Sequence, residues 1–153
     1  MNSLLIVCAA SLLIPTVGFA YEKAFEATQT GDIEIKNIPQ RTLLVAQRGE
    51  SYFEENNALF GQLFRYIQDN DVSMTVPVKA DINPGRMYFY IGKDDLKKNL
   101  KNSASVEVIS EPELQVISMG VRGGYSEKNY EQARKELSNQ LSMNSGWKQN
   151  GEA

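Results

Sequence analysis

Histidine is absent from this chain, and cysteine occurs once, as Cys8. Without imidazole no Ser-His or Cys-His nucleophile can be built, and a zinc site resting on His or Cys ligands is excluded. A single cysteine closes no intrachain disulfide, so the fold relies on its core even in an oxidising compartment. Basic charge is also short: 16 Lys+Arg stand against 19 Asp+Glu, a net charge of -3. With a pI near 5.1, this balance speaks against a nucleic-acid partner, which would call for a basic face. No Asn opens an Asn-x-Ser/Thr triplet, so glycosylation carries no hint of compartment. What is present, 42% apolar and 23% charged residues in 153, is ordinary for one globular domain that buries roughly two-thirds of its unfolded surface.

Residues 1–20 carry no charged side chain. Leu4 to Ile14 is an apolar run ended by Pro15, followed by Val17-Gly18-Phe19-Ala20 with small residues three and one before Tyr21. That pattern predicts a secretory signal peptide over 1–20 and a secreted or periplasmic protein. The run is shorter than the ~20 apolar residues a spanning helix takes, so no stable membrane anchor is expected once it is removed. Cys8 lies inside it and leaves with it.

The rest of the chain reads as two related units. At an offset of 73 residues Ile33-Glu34-Ile35 falls on Val106-Glu107-Val108, Pro39 on Pro112 and Leu43-Leu44 on Val116-Ile117; at 74, Arg48-Gly49 falls on Arg122-Gly123. Each unit opens with period-two strand text and continues into a helix. Ser51 with Glu54 predicts a capping box, and Phe60, Leu63, Phe64 and Ile67 an amphipathic stripe. In the second unit Ser126 is the expected N-cap, and Tyr130, Ala133, Leu137 and Leu141 form the stripe. Val72 to Val78 alternates as a strand, Asn83-Pro84-Gly85 turns, and Met87 to Ile91 returns. The expected fold is α+β: duplicated β-α-β-β half-repeats, 33–92 and 106–153, forming one antiparallel sheet with two helices on one face. The polar stretch 93–105, with Lys97, Lys98 and Lys101, reads as a solvated linker between them. Under the 74-residue offset the second copy of Gly92 would lie past Ala153, so the second unit is expected to be truncated. Its edge would be open to pairing, which makes a monomer or weak homodimer the expected state.

Phe60-Gly61-Gln62-Leu63-Phe64-Arg65-Tyr66-Ile67, followed by Met74-Thr75-Val76-Pro77-Val78, resembles the helix-to-strand signature of the SOUL heme-binding proteins, roughly F-x-x-L-x-x-Y-I and then M-T-x-P-V. The resemblance covers 21–153 as a single domain. It implies the duplicated fold shared with GyrI-like effector-binding domains and a tetrapyrrole, heme or porphyrin, as bound ligand. The chain departs from the family in two respects. Members continue past this point with a tyrosine-asparagine-proline-type segment and a final strand. Some also carry a histidine proposed as heme ligand, which this chain cannot supply.

The residues available for such a ligand are aromatic and thioether side chains. Phe60, Phe64, Met74, Tyr88, Tyr90, Met119 and Tyr125 fall on elements that would line a shared groove. Strand parity puts Met87 and Phe89 on one sheet face and Tyr88 and Tyr90 on the other. The tyrosine face is the one expected to meet the ligand, since a buried hydroxyl needs a partner. Arg48 and Arg122, equivalent in the two units, would offer guanidinium groups to porphyrin carboxylates. No catalytic or metal-binding set is expected: Glu34 and Glu107 read as outward strand residues, and Asp69-Asn70-Asp71 as a helix-end turn. The expected function is an exported, non-catalytic tetrapyrrole binder that works by apolar enclosure without histidine. The alternative is a GyrI-like binder of another small apolar or amphipathic ligand.

Overall fold

The computed structural model describes residues 22–49, 51–143 and 146; the expected signal peptide and the closing 147–153 lie outside the described residues. The elements in order are β1 (Glu22–Lys23), β2 (Ile33–Ile38), β3 (Arg41–Gln47), α1 (Tyr52–Asp69), β4 (Thr75–Val76), β5 (Lys79–Asp81), β6 (Arg86–Tyr90), β7 (Glu107–Glu111), β8 (Leu114–Met119) and α2 (Glu127–Met143). The class is α+β. The strands do not form the one sheet expected. They divide into a four-stranded antiparallel sheet β5-β6-β3-β7, an antiparallel ladder β2-β8 and a two-residue parallel contact β1-β4.

Proline chemistry explains the division. The pairing of β2 with β8, from Ile33 opposite Met119 to Ile38 opposite Leu114, continues without a slip into that of β3 with β7, from Arg41 opposite Glu111 to Val45 opposite Glu107. The interruption falls at Pro39-Gln40 and Pro112-Glu113, where prolines donate no ladder hydrogen bond. Two prolines 73 residues apart thus meet at one bend. Pro77 likewise breaks the strand expected over 72–78, leaving β4 and β5 on either side of it.

α1 lies on β6 and β3, whereas α2 touches β8, so the two helices pack on different ladders. Leu44, Ala46, Met87 and Phe89 meet Leu59, Leu63, Tyr66 and Ile67 in the main core. The buried line of α1 is therefore turned toward Leu59 and Tyr66, away from the predicted Phe60 and Phe64. Tyr66 accounts for the turn: its buried hydroxyl donates to the Lys101 carbonyl at 2.7 Å, and an unsatisfied buried hydroxyl would be costly. Ser51 occupies the N-cap position but makes no side-chain cap bond; the Tyr52 N–H is taken by the Ile82 carbonyl at 3.1 Å. In α2 the expected cap forms, with the Asn129 N–H donating to Ser126 Oγ at 3.3 Å. Its predicted stripe, Tyr130, Ala133, Leu137 and Leu141, is only half-buried.

The stretch 93–105 is anchored, not merely solvated. Asp95, 4% exposed, pairs with Lys98 at 2.8 Å and accepts the Ser73 N–H at 2.8 Å, while Leu100 packs on the core. Burial pushes the Asp95 pKa up, and the Lys98 and Ser73 hydrogen bonds outweigh it, so the group ends below its ordinary value. A carboxylate depressed in the folded state adds stability above its unfolded pKa of about 3.9, which is lost as pH falls through the folded value. Replacing Asp95 by Asn should cost about 1–3 kcal/mol at pH 7. It should also flatten the loss of stability below about pH 4, as urea titrations across pH will check.

Candidate functional site

The parity of β6 is as the alternation predicts: Met87 and Phe89 face α1, and Tyr88 and Tyr90 join Leu43 and Val45 on the opposite side. The helix-bearing face ends in an aromatic platform. Phe60 and Phe64 stand one helical turn apart with ring centroids 5.7 Å apart and planes at 14°, and they are 39% and 40% exposed. Phe60 is braced from below by the edge of Phe89 at 5.4 Å. Toward the start of α1, Phe53 meets Tyr130 of α2 at 6.1 Å. Met74 is half-buried against the same core.

The opposite face is polar at its margins and apolar in its centre. Tyr88 and Tyr90 are each 4% exposed. The Tyr88 hydroxyl donates to Asp81 at 2.5 Å, and Lys79 lies over its ring at 4.4 Å. Burial first, and then the Asp81 hydrogen bond, push its pKa up to about 12. Tyr90, also raised chiefly by burial, is covered by the edge of Phe25 at 5.5 Å and lies under the Arg41 guanidinium. Lys79 of β5 and Arg41 of β3 both bind Glu111 of β7, at 2.6 and 2.5 Å. The Lys79 contact joins the two edge strands of the four-stranded sheet, so the tyrosine face is concave. Burial raises the Glu111 carboxyl, but the Lys79 and Arg41 bonds prevail and hold it below the usual carboxylate range. A cavity of about 350 Å³ opens on this face, floored by Val45, Tyr88 and Ile109 and bordered by Gln47, Arg86 and Glu107.

The expected ligand residues therefore do not converge on one groove. Phe60, Phe64 and Met74 lie on the α1 side, and Tyr88 and Tyr90 on the concave side. Met119, opposite Ile33, belongs to the β2-β8 ladder. Arg48 is exposed and bound to Glu55 at 3.1 Å; Arg122 and Tyr125 are exposed on the segment before α2, Tyr125 at 94%. Glu34 and Glu107 lie in different ladders, opposite Ser118 and Val45. The charged margin of the concave face, Arg41, Lys79, Asp81, Arg86 and Glu111, went unread in the sequence. Its signal is present as period-two text within each strand, but that these residues share one face with Tyr88 and Tyr90 depends on pairings between strands distant in sequence.

An α+β domain with an exposed aromatic platform on one side and a concave, tyrosine-floored cavity on the other has the build of a small-molecule binding protein. The SOUL heme-binding protein family model matches residues 19–153, and the chain belongs to that family. No curated protein matches it in sequence. Among the described residues, no helix is long and apolar enough to cross a membrane.

Proposed function

We propose that the chain is an exported tetrapyrrole-binding protein that holds the ring against Phe60 and Phe64 without a histidine ligand. The observation that carries this is the platform itself. Two nearly parallel phenyl rings stacked on one another, each about two-fifths exposed, leave apolar ring surface in solvent against which a flat aromatic ligand gains burial and ring contact. The family supports heme or a related porphyrin as the ligand class. Export is supported by the uncharged, apolar text of residues 1–20. The reading is of a binder and not of a catalyst. A binder of another small amphipathic ligand is the second reading, favoured by the cavity on the concave face.

Titration of the chain with hemin, followed by Soret absorbance, tests the first reading. Saturable one-to-one binding below about 10 μM, which is nearly 7 kcal/mol, is expected. Because stacking does not involve the iron, metal-free protoporphyrin should bind within about a hundredfold of hemin. A larger gap, above about 2.7 kcal/mol of metal-specific interaction, would require an axial ligand from Tyr, Met, Lys or a carboxylate. No saturable shift from folded protein would set the tetrapyrrole reading aside.

A further inference from the structure

The cavity on the concave face carries charge of both signs. Tyr88, Val45 and Glu107 stand opposite one another across β6, β3 and β7, and Arg86 and Gln47 pair one step along the same face. Glu107 and Arg86 thus approach the apolar floor from opposite sides of the central strand. Arg86 donates from Nε to Gln47 Oε1 at 2.9 Å, is hydrogen-bonded with Tyr88 and comes no nearer than 3.9 Å to Asp81; with five N–H donors, its fork still has some to offer. Glu107 is exposed and already interacts electrostatically with Arg86 across the floor. Asp81 is already committed to the Tyr88 hydroxyl.

We propose that this cavity binds a small zwitterion, an amino acid with an apolar side chain, with its carboxylate on Arg86, its ammonium on Glu107 and its side chain over Val45 and Ile109. A simple organic anion would meet Glu107 and Asp81 as like charges, and a simple cation would meet Arg86. A ligand bearing both charges satisfies both sides, and the arrangement rejects either half alone. The volume of about 350 Å³ falls at the low end of the roughly 300–1,000 Å³ of small-molecule pockets, which suits a compact ligand. The site is independent of the tetrapyrrole reading, because Phe60 and Phe64 lie beyond the sheet on the α1 side.

Calorimetric titration of the full chain with leucine, N-acetylleucine and leucinamide tests the proposal. Leucine is expected to saturate, and capping either end to weaken binding at least about tenfold. Arg86→Gln should abolish the preference for leucine over leucinamide, and Glu107→Gln the preference for leucine over N-acetylleucine. Glu107 is exposed, so its variant keeps the test valid if Arg86→Gln fails to fold. Hemin affinity measured beside these should be unchanged in both variants, which separates failure of this site from failure of the platform. Absence of saturation by about 10 mM leucine, equal binding of all three compounds, or unaltered leucine binding in both variants would overturn it.

Discussion

Replacing Phe60 and Phe64 together by Ala is expected to weaken porphyrin binding about thirty- to hundredfold while the protein stays folded. Each ring contributes apolar contact plus about 0.5–1.5 kcal/mol of aromatic geometry. Losing both removes about 2–3 kcal/mol from the complex. The folded chain loses less, because both rings are already about two-fifths exposed and the main core is built on Leu59, Leu63, Tyr66 and Ile67. Phe64→Ala is the cleaner single variant, since Phe60 also braces Phe89; its unfolding free energy should fall by about 1 kcal/mol or less. The readout is a pair of titrations, hemin for affinity and urea for stability. A folded double variant with unchanged porphyrin affinity would remove the platform from the binding site and direct attention to the concave face.

The platform also shows where reading the sequence stops. Parity on β6 was legible because a strand offers two faces and Met87-Tyr88-Phe89-Tyr90 fills them alternately. The class of fold, the two helices and the Ser126 cap were legible for the same kind of reason, since local periodicity and local hydrogen bonding determine them. The rotation of α1 was not. Its apolar residues spread from Tyr66 through Leu59 and Leu63 to Phe64, more than one face can bury, and the choice was made by the Lys101 carbonyl, 35 residues from Tyr66. The concave face escaped for a stronger version of that reason. Arg41 and Lys79 meet Glu111 from 70 and 32 residues away, and only the curvature of the sheet brings its edges together. The Ser51 capping box was a local reading that the structure does not realise: Ser51 holds the N-cap position without a side-chain cap bond.

These two levels meet at Phe89. It is 2% exposed, among the largest fully buried side chains, and its ring edge is what Phe60 rests on. Phe89→Ala should therefore cost about 3–5 kcal/mol, through lost burial and the cavity left behind. In a domain of this size that lowers Tm by roughly 10–20 °C. It should also weaken porphyrin binding although Phe89 is buried beneath the platform, because Phe60 loses the edge that fixes its tilt. Phe89→Leu separates the two effects. A branched aliphatic side chain refills much of the volume, so most of the stability should return, but it has no ring edge, so affinity should recover less than stability does. A cycle combining Phe89→Leu with Phe60→Ala should give a coupling of about 0.5–1.5 kcal/mol in unfolding free energy. If the two substitutions instead add independently, and Phe89→Leu binds porphyrin like the parent, then the platform is held by α1 alone and the sheet beneath it serves only as core.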